Sequence, residues 1–245
     1  MIVTKMGTFL FGIGVAAVSI AGPRCEVLWA ADEGSPADRV RQGANRAKSS
    51  NNLKQLLIAM HNYHDTNGRL PTAAIYSKDG KPLLSWRVAL LPYLEEQQLY
   101  KQFHLDEPWD SEHNKKLLAQ MPKVFAPVGV KTKEPNTTFY QVFTGKGTLF
   151  EGNRGIRFPE VTDGLSNTIM MAEAGTPVPW TKPEDMAFDG DKPLPKLGGV
   201  FDGNFFIAFA DGSVRFVNKK FNEKILRKAI TRADGELPEL DKLDR

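Results

Sequence analysis

The 245-residue chain is 41% hydrophobic and 25% charged, proportions that fit an ordinary globular protein and exclude collagen-like, low-complexity and multi-span membrane classes. Its 32 basic and 29 acidic residues leave a formal charge of +3. They are scattered along the chain, so it lacks the basic footprint that holds nucleic acid.

The N-terminus carries Lys5, runs without charge from Thr8 to Ala21, and passes through Gly22-Pro23 to the small pair Ala30-Ala31. An uncharged run this short falls below the roughly 20 residues of a membrane span and matches the core of a secretory signal. Two readings stand. Residues 1–31 are a signal peptide cleaved after Ala31, or they remain as an uncleaved anchor and supply the chain's only membrane contact. Either way the expected location is extracytoplasmic, periplasmic or secreted. Cys25 is the only cysteine, so cleavage leaves residues 32–245 without thiols, and packing rather than disulfides must stabilise them. No linker divides them, and they are read as a single domain.

After the polar stretch from Asp32, spacing predicts a helix over Ala37 to Tyr63. Val40, Ala44, Ala47, Leu53, Leu56, Leu57, Met60 and Tyr63 recur at intervals of mostly three and four, which makes one packing face. Arg39, Arg46, Lys48 and Lys54 fall opposite, and Asn67-Gly68 with Pro71 stops the helix. A second helical region is expected from Ser85 to Phe103, kinked or split at Pro92. A third runs from Asp110 to Gln120, with Asp110 or Ser111 as its cap.

From about Val124 the texture changes to short β-rich runs broken by Gly, Pro and Asn: Thr137 to Thr144, Ser166 to Ala174, and Asn204 to Val217. Asp211-Gly212 divides the last run and suits a two-residue primed turn, with Gly212 taking the positive φ. A final helix is expected from Phe221 to Arg232. Helices first and strands afterwards give an α+β class, with the long first helix laid against an antiparallel sheet.

Several blocks carry a resemblance. Ser50-Asn51-Asn52-Leu53-Lys54-Gln55, His61-Asn62-Tyr63-His64-Asp65, Ser85-Trp86-Arg87-Val88 and Leu91-Pro92-Tyr93-Leu94-Glu95 are similar to the pilin-like domain of unknown function 1559. Later blocks agree with it: Thr162 through Glu173, Val178-Pro179-Trp180-Thr181, and Ala210-Asp211-Gly212-Ser213-Val214-Arg215-Phe216. The resemblance implies a pilin-like fold and an exported location, and implies no known reaction; the family also carries a bacterial solute-binding label. The chain departs from typical members at two places. Met6-Gly7-Thr8-Phe9-Leu10-Phe11 lacks the prepilin glutamate, and Phe201 stands where the family's signature has a histidine ahead of Asp211-Gly212. A phenyl ring neither ligates nor hydrogen-bonds as imidazole does.

Candidate chemistry is sparse. His61 and His64 lie three apart on one helix, with Asp65 adjacent, a conceivable start of a metal site; hydrogen bonding at the helix end is the simpler expectation. Asp163, Ser166 and Asn167, joined through folding by Glu173, offer the hard oxygen ligands of a calcium loop, but without EF-hand spacing, and Asp163-Gly164 reads more simply as a turn held by the Asp side chain. Asp163, Glu173 and Asp211 could be imagined as an acid and base pair, with no glycosidase context around them. Trp86, Trp109, Trp180 and Tyr93 could line a ligand groove, but Trp86 is expected in the core, whereas Trp109 and Trp180 stay open. The chain has no Gly-x-Ser-x-Gly elbow, P-loop or His-Glu-x-x-His. No catalytic residue, metal or cofactor is therefore assigned.

The expected function is that of an exported structural or interaction protein of the cell envelope, with other envelope proteins as partners, no nucleic acid, and an open oligomeric state. The alternative is an extracytoplasmic glycan- or small-ligand-binding protein or hydrolase, whose pocket the segment from Asp163 to Glu173 or the tryptophan loops would form.

Overall fold

The computed structural model describes residues 35–244; the expected signal segment, 1–31, lies outside the described residues. Helix α1 covers Pro36–Asn67, about 48 Å at 1.5 Å per residue. It ends where Gly68 takes φ 71° and donates its N–H to the His64 carbonyl, the left-handed cap that glycine adopts without a Cβ penalty. A hairpin of β1 (Ala74–Tyr76) and β2 (Pro82–Ser85) follows, a feature not expected from the sequence.

The two middle helices are shorter than expected. The region from Ser85 to Phe103 breaks into α2 (Trp86–Ala89), a 3-10 turn over Leu91–Leu94 and α3 (Gln97–Tyr100). Pro92 lacks an N–H for the helical ladder, and Glu95 then turns left-handed at φ 63°. The next helix, α4, covers only Asn114–Leu117 before a 3-10 turn over Leu118–Gln120. Its start is delayed because the Asn114 amide bonds the carbonyls of His104, Glu107 and Pro108, holding the preceding loop coiled around it. The cap position is His113, without a side-chain cap bond, while Ser111, two residues earlier, accepts the Asn114 N–H.

The main sheet is antiparallel in the order β3 (Thr137–Gln141), β5 (Ile169–Pro179), β7 (Phe205–Phe209), β8 (Val214–Val217). A second pair, β4 (Phe143–Thr144) and β6 (Met186–Ala187), runs parallel beside it. Strand β5 starts three residues later than the expected run at Ser166 and continues five beyond Ala174, because its far end pairs with Thr137 and Thr138. The β7–β8 connection is a three-residue loop rather than a two-residue primed turn. The Gly212 N–H returns to the Phe209 carbonyl, the Phe209 N–H donates to the Ser213 carbonyl, and only Gly212 has positive φ, 92°.

Both faces of this sheet are covered. Along β7, Phe206 and Ala208 enter the cluster with Leu53, Leu56, Leu57 and Met60 of α1, while Phe205, Ile207 and Phe209 enter a second cluster with Ile225, Leu226, Ala229 and Ile230. Those last four belong to α5 (Glu223–Ile230), whose N-terminus Asn222 caps by accepting two backbone N–H bonds. The α+β class with α1 against an antiparallel sheet is therefore the observed architecture, completed by a second helix on the opposite face.

Helix α1 is buried over only part of its length. Its buried residues run from Ser49 to Met60. No residue from Pro36 to Lys48 is buried, and Val40 is 73% exposed. The expectation that Val40, Ala44 and Ala47 share the packed face is corrected: at about 100° per residue they lie on the side of the helix opposite Leu53, Leu56 and Met60, the side on which Ile58 is also exposed. Leu56→Ala should lower the unfolding free energy by about 2–5 kcal/mol, whereas Val40→Ala should stay within about 0.5 kcal/mol. Urea denaturation of the two variants checks this, and equal losses would show that the helix packs along its whole length.

Candidate functional site

Residues of the candidate calcium loop are not gathered around a common point. Asp163 sits before β5, where its two carboxylate oxygens accept the Asp234 and Gly235 N–H groups at 2.9 and 3.0 Å. That carboxylate thus ties down the segment after α5, which corrects the reading of Asp163-Gly164 as a turn held by its own Asp side chain. Asn167 donates its amide to the Asp163 carbonyl, and Ser166 is exposed. Glu173 is the fifth residue of a strand in which its neighbours Ala172 and Ala174 face α5, so alternation points it at α1.

There Glu173 forms the polar seam between helix and sheet. Ser49 donates its hydroxyl to Glu173 Oε1 at 2.5 Å, and the Phe206 N–H donates to Oε2 at 2.8 Å. Ser49 also meets the Tyr140 hydroxyl at 2.8 Å, and Asn52 donates to that hydroxyl at 3.2 Å. One turn of α1 is thereby bonded to β3 and β5 and, through Glu173, linked to β7. Glu173 is 1% exposed, and no basic side chain is among its hydrogen-bond or ion-pair partners. Burial pushes its carboxyl up to about 7 despite the two bonds that favour the charged form. The Tyr140 phenol is pushed up to about 12, again chiefly by burial.

A second buried knot lies on the other side of Tyr140. Arg87, wholly buried, donates Nε and Nη2 to the Tyr140 carbonyl at 3.1 and 2.7 Å, Nη1 to Ser85 Oγ at 2.7 Å, and Nη2 to Asp185 Oδ1 at 2.8 Å. Trp86 Nε1 and the Val142 N–H donate to the same Asp185 oxygen. Burial pulls the guanidinium down and pushes the carboxyl up, and their mutual attraction opposes both. Sequence reasoning passed over both residues. Arg87 had a readable signal, a cation inside the apolar run from Leu83 to Leu91; Asp185, 98 residues away, had none.

The remaining candidates resolve individually. His61 Nε2 bonds the Ala210 carbonyl at 2.9 Å, and His64 Nε2 accepts the Phe158 N–H at 3.3 Å while its ring stacks on Phe158. Accepting at Nε2 leaves the His64 proton on Nδ1, so that nitrogen has no lone pair for a metal. Hydrogen bonding at the helix end is what these histidines do. Among the described residues no group of three or more His, Cys, Asp or Glu is placed to hold a metal ion. Trp86 and Trp180 are both fully buried. Trp180 donates to the Leu118 carbonyl, which removes it from the groove-lining aromatics, and Trp109 is half-buried beneath Lys182. Asp211 is exposed and accepts the Ser213 N–H inside its own turn. Phe201 packs edge-on against Phe206 and Phe216, an apolar role that histidine would fill poorly. Four clefts of the described residues are lined by neither the Asp163 to Glu173 carboxylates nor the tryptophans.

A family model described as Protein of unknown function (DUF1559), with the short title SBP_bac_10, matches residues 38–128 and 120–199. The match takes in α1, both polar knots up to Asp185, and strands β1 to β6; the Ala210 to Phe216 block lies beyond it. No curated protein and no solved structure matches the chain.

The Glu173 seam sets a pH dependence. A carboxyl whose folded pKa is raised stabilises the fold fully below its unfolded pKa, and that contribution is lost as pH rises through about 7. Glu173→Gln keeps the shape and removes the titration. Its stability relative to the native chain should rise by about 3 kcal/mol between pH 4.5 and 8. Denaturation midpoints across that range check the sign, and a pH-independent difference would contradict a buried, unpaired carboxylate.

Proposed function

The chain belongs to the DUF1559 family, and on that premise we propose that it is an exported structural or interaction protein of the cell envelope, built as a pilin-like module. The observation that carries this reading is the half-docked helix. Residues Ser49 to Met60 fix α1 to an antiparallel sheet, while the turns from Pro36 to Lys48 present Val40, Ala44 and Ala47 to solvent. A helix of two unequal environments is suited to carrying a globular body on one end and engaging neighbours with the other. The solute-binding label of the family supports an extracytoplasmic location.

The reading assigns no catalytic step and no cofactor, since Asp163 and Glu173 spend their oxygens on backbone N–H groups and Ser49. Other envelope proteins are the partners it calls for, and nucleic acid is not among them. No helix of the described residues is long and apolar enough to cross a membrane, which leaves membrane contact to an uncleaved N-terminus.

Photo-cross-linking of the full chain in its native cells tests the reading. A photoreactive side chain at position 40 or 44 should give a discrete set of envelope adducts that Ala47→Asp removes. The same probe at position 220, on an exposed lysine of the body, should give none of them. Adducts identical at both places, or recovery of the protein from the cytoplasmic fraction, would overturn it.

A further inference from the structure

The hairpin β1–β2 and the chain from Thr144 to Gly152 flank a cleft of about 350 Å³, at the small end of the range for ligand pockets. Tyr76 and Phe150 supply aromatic wall, and Asp185 and Glu184 are its ionisable acids; no lysine, arginine or histidine lines it. The Asp185 side chain is 2% exposed. All of its hydrogen bonds, from Trp86 Nε1, Arg87 Nη2 and the Val142 N–H, arrive at Oδ1. Oδ2 takes none from the described residues, although a carboxylate oxygen has two lone pairs to satisfy. Burial, and then the charge on Asp185, push the Tyr76 phenol up, so the carboxylate's field is felt across this cleft.

Each acid of the cleft already holds one cation through one of its oxygens. Arg87 holds Oδ1 from beneath, and Lys182, which lines the adjoining cleft, pairs with Glu184 at the surface. The Tyr76 hydroxyl on its wall donates to the Gly152 carbonyl, so what the cleft lacks is a cationic donor. An ammonium group brings three N–H donors and a positive charge, and is attracted both to a carboxylate oxygen and to aromatic faces. We propose that this cleft binds a small organic ammonium, a primary amine of about five non-hydrogen atoms, with Asp185 Oδ2 as its anchor, Glu184 at the rim and Tyr76 and Phe150 as its walls. The site stands independently of the envelope role of α1.

Titrating n-butylammonium chloride into the full-length protein tests it, with the Trp86 indole N–H followed by NMR because that proton is bonded to Asp185 Oδ1. The expected result is a saturable shift with a Kd on the order of 1 mM. Matched n-butanol or sodium chloride should not reproduce it. Asp185→Asn should lose the response, and because it also unpairs a buried Arg87, the exposed Glu184→Gln serves as the second variant, binding about two- to fivefold more weakly. No saturable shift, an equal response to butanol or sodium chloride, or unchanged affinity in Glu184→Gln would overturn the proposal.

Discussion

One contact organises the molecule: the second half of α1 seated on the face of the sheet. Leu53, Leu56, Leu57 and Met60 are each 0–1% exposed, and burying side chains of this size contributes about 1.5–3 kcal/mol apiece. Apolar burial is non-directional, however, and would tolerate a helix that slid or rotated on the sheet. The Ser49, Asn52, Tyr140 and Glu173 bonds set the position, because each has a fixed geometry and a misplaced helix would strand a buried carboxylate. Packing supplies the stability of this joint and the polar seam supplies its register.

Tyr140 links that seam to the rest of the body. Its hydroxyl faces Ser49 and Asn52 while its carbonyl receives two bonds from Arg87, which in turn holds Asp185 and, through it, Trp86 and Val142. The cluster beneath α1, the β1–β2 hairpin and the β4–β6 pair are thus joined through a short chain of buried polar groups. On the opposite face α5 closes the second cluster with Ile225, Leu226, Ala229 and Ile230. Among the described residues both faces of the sheet thus carry a helix, while α1 from Pro36 to Lys48 has no buried residue.

Local patterns were legible and long-range pairings were not. The i, i+3, i+4 spacing from Leu53 to Met60 found the packed face, Asn67-Gly68 found the helix end, and alternation found β7 and β8. Val40, Ala44 and Ala47 are expected on the same face, but the six-residue step from Ala47 to Leu53 breaks the period and places them on the far side of the helix, where they stay exposed. Glu173 and Asp163 looked like parts of one oxygen-rich loop ten residues apart. In the fold a strand begins between them, sending one carboxylate to Ser49 of α1 and the other to backbone groups beyond α5. Arg87 is a cation in an apolar run and was still passed over, and its partner Asp185 comes from a loop that only tertiary structure brings near. The Asp211-Gly212 signal gave the right hairpin with the wrong loop length, since a single positive φ serves a three-residue connection as well as a primed turn requires two or one.

A rigid body on a half-free helix makes the two halves of α1 differ in opening free energy, which amide hydrogen exchange reads residue by residue. Exchange measured on the native protein should show the amides of residues 53–60 protected to the level of the β7 core, and those of residues 39–47 exchanging orders of magnitude faster. Uniform protection along all of α1 would mean that its first turns are also covered, and equally fast exchange in both halves would mean that the helix is not docked on the sheet at all.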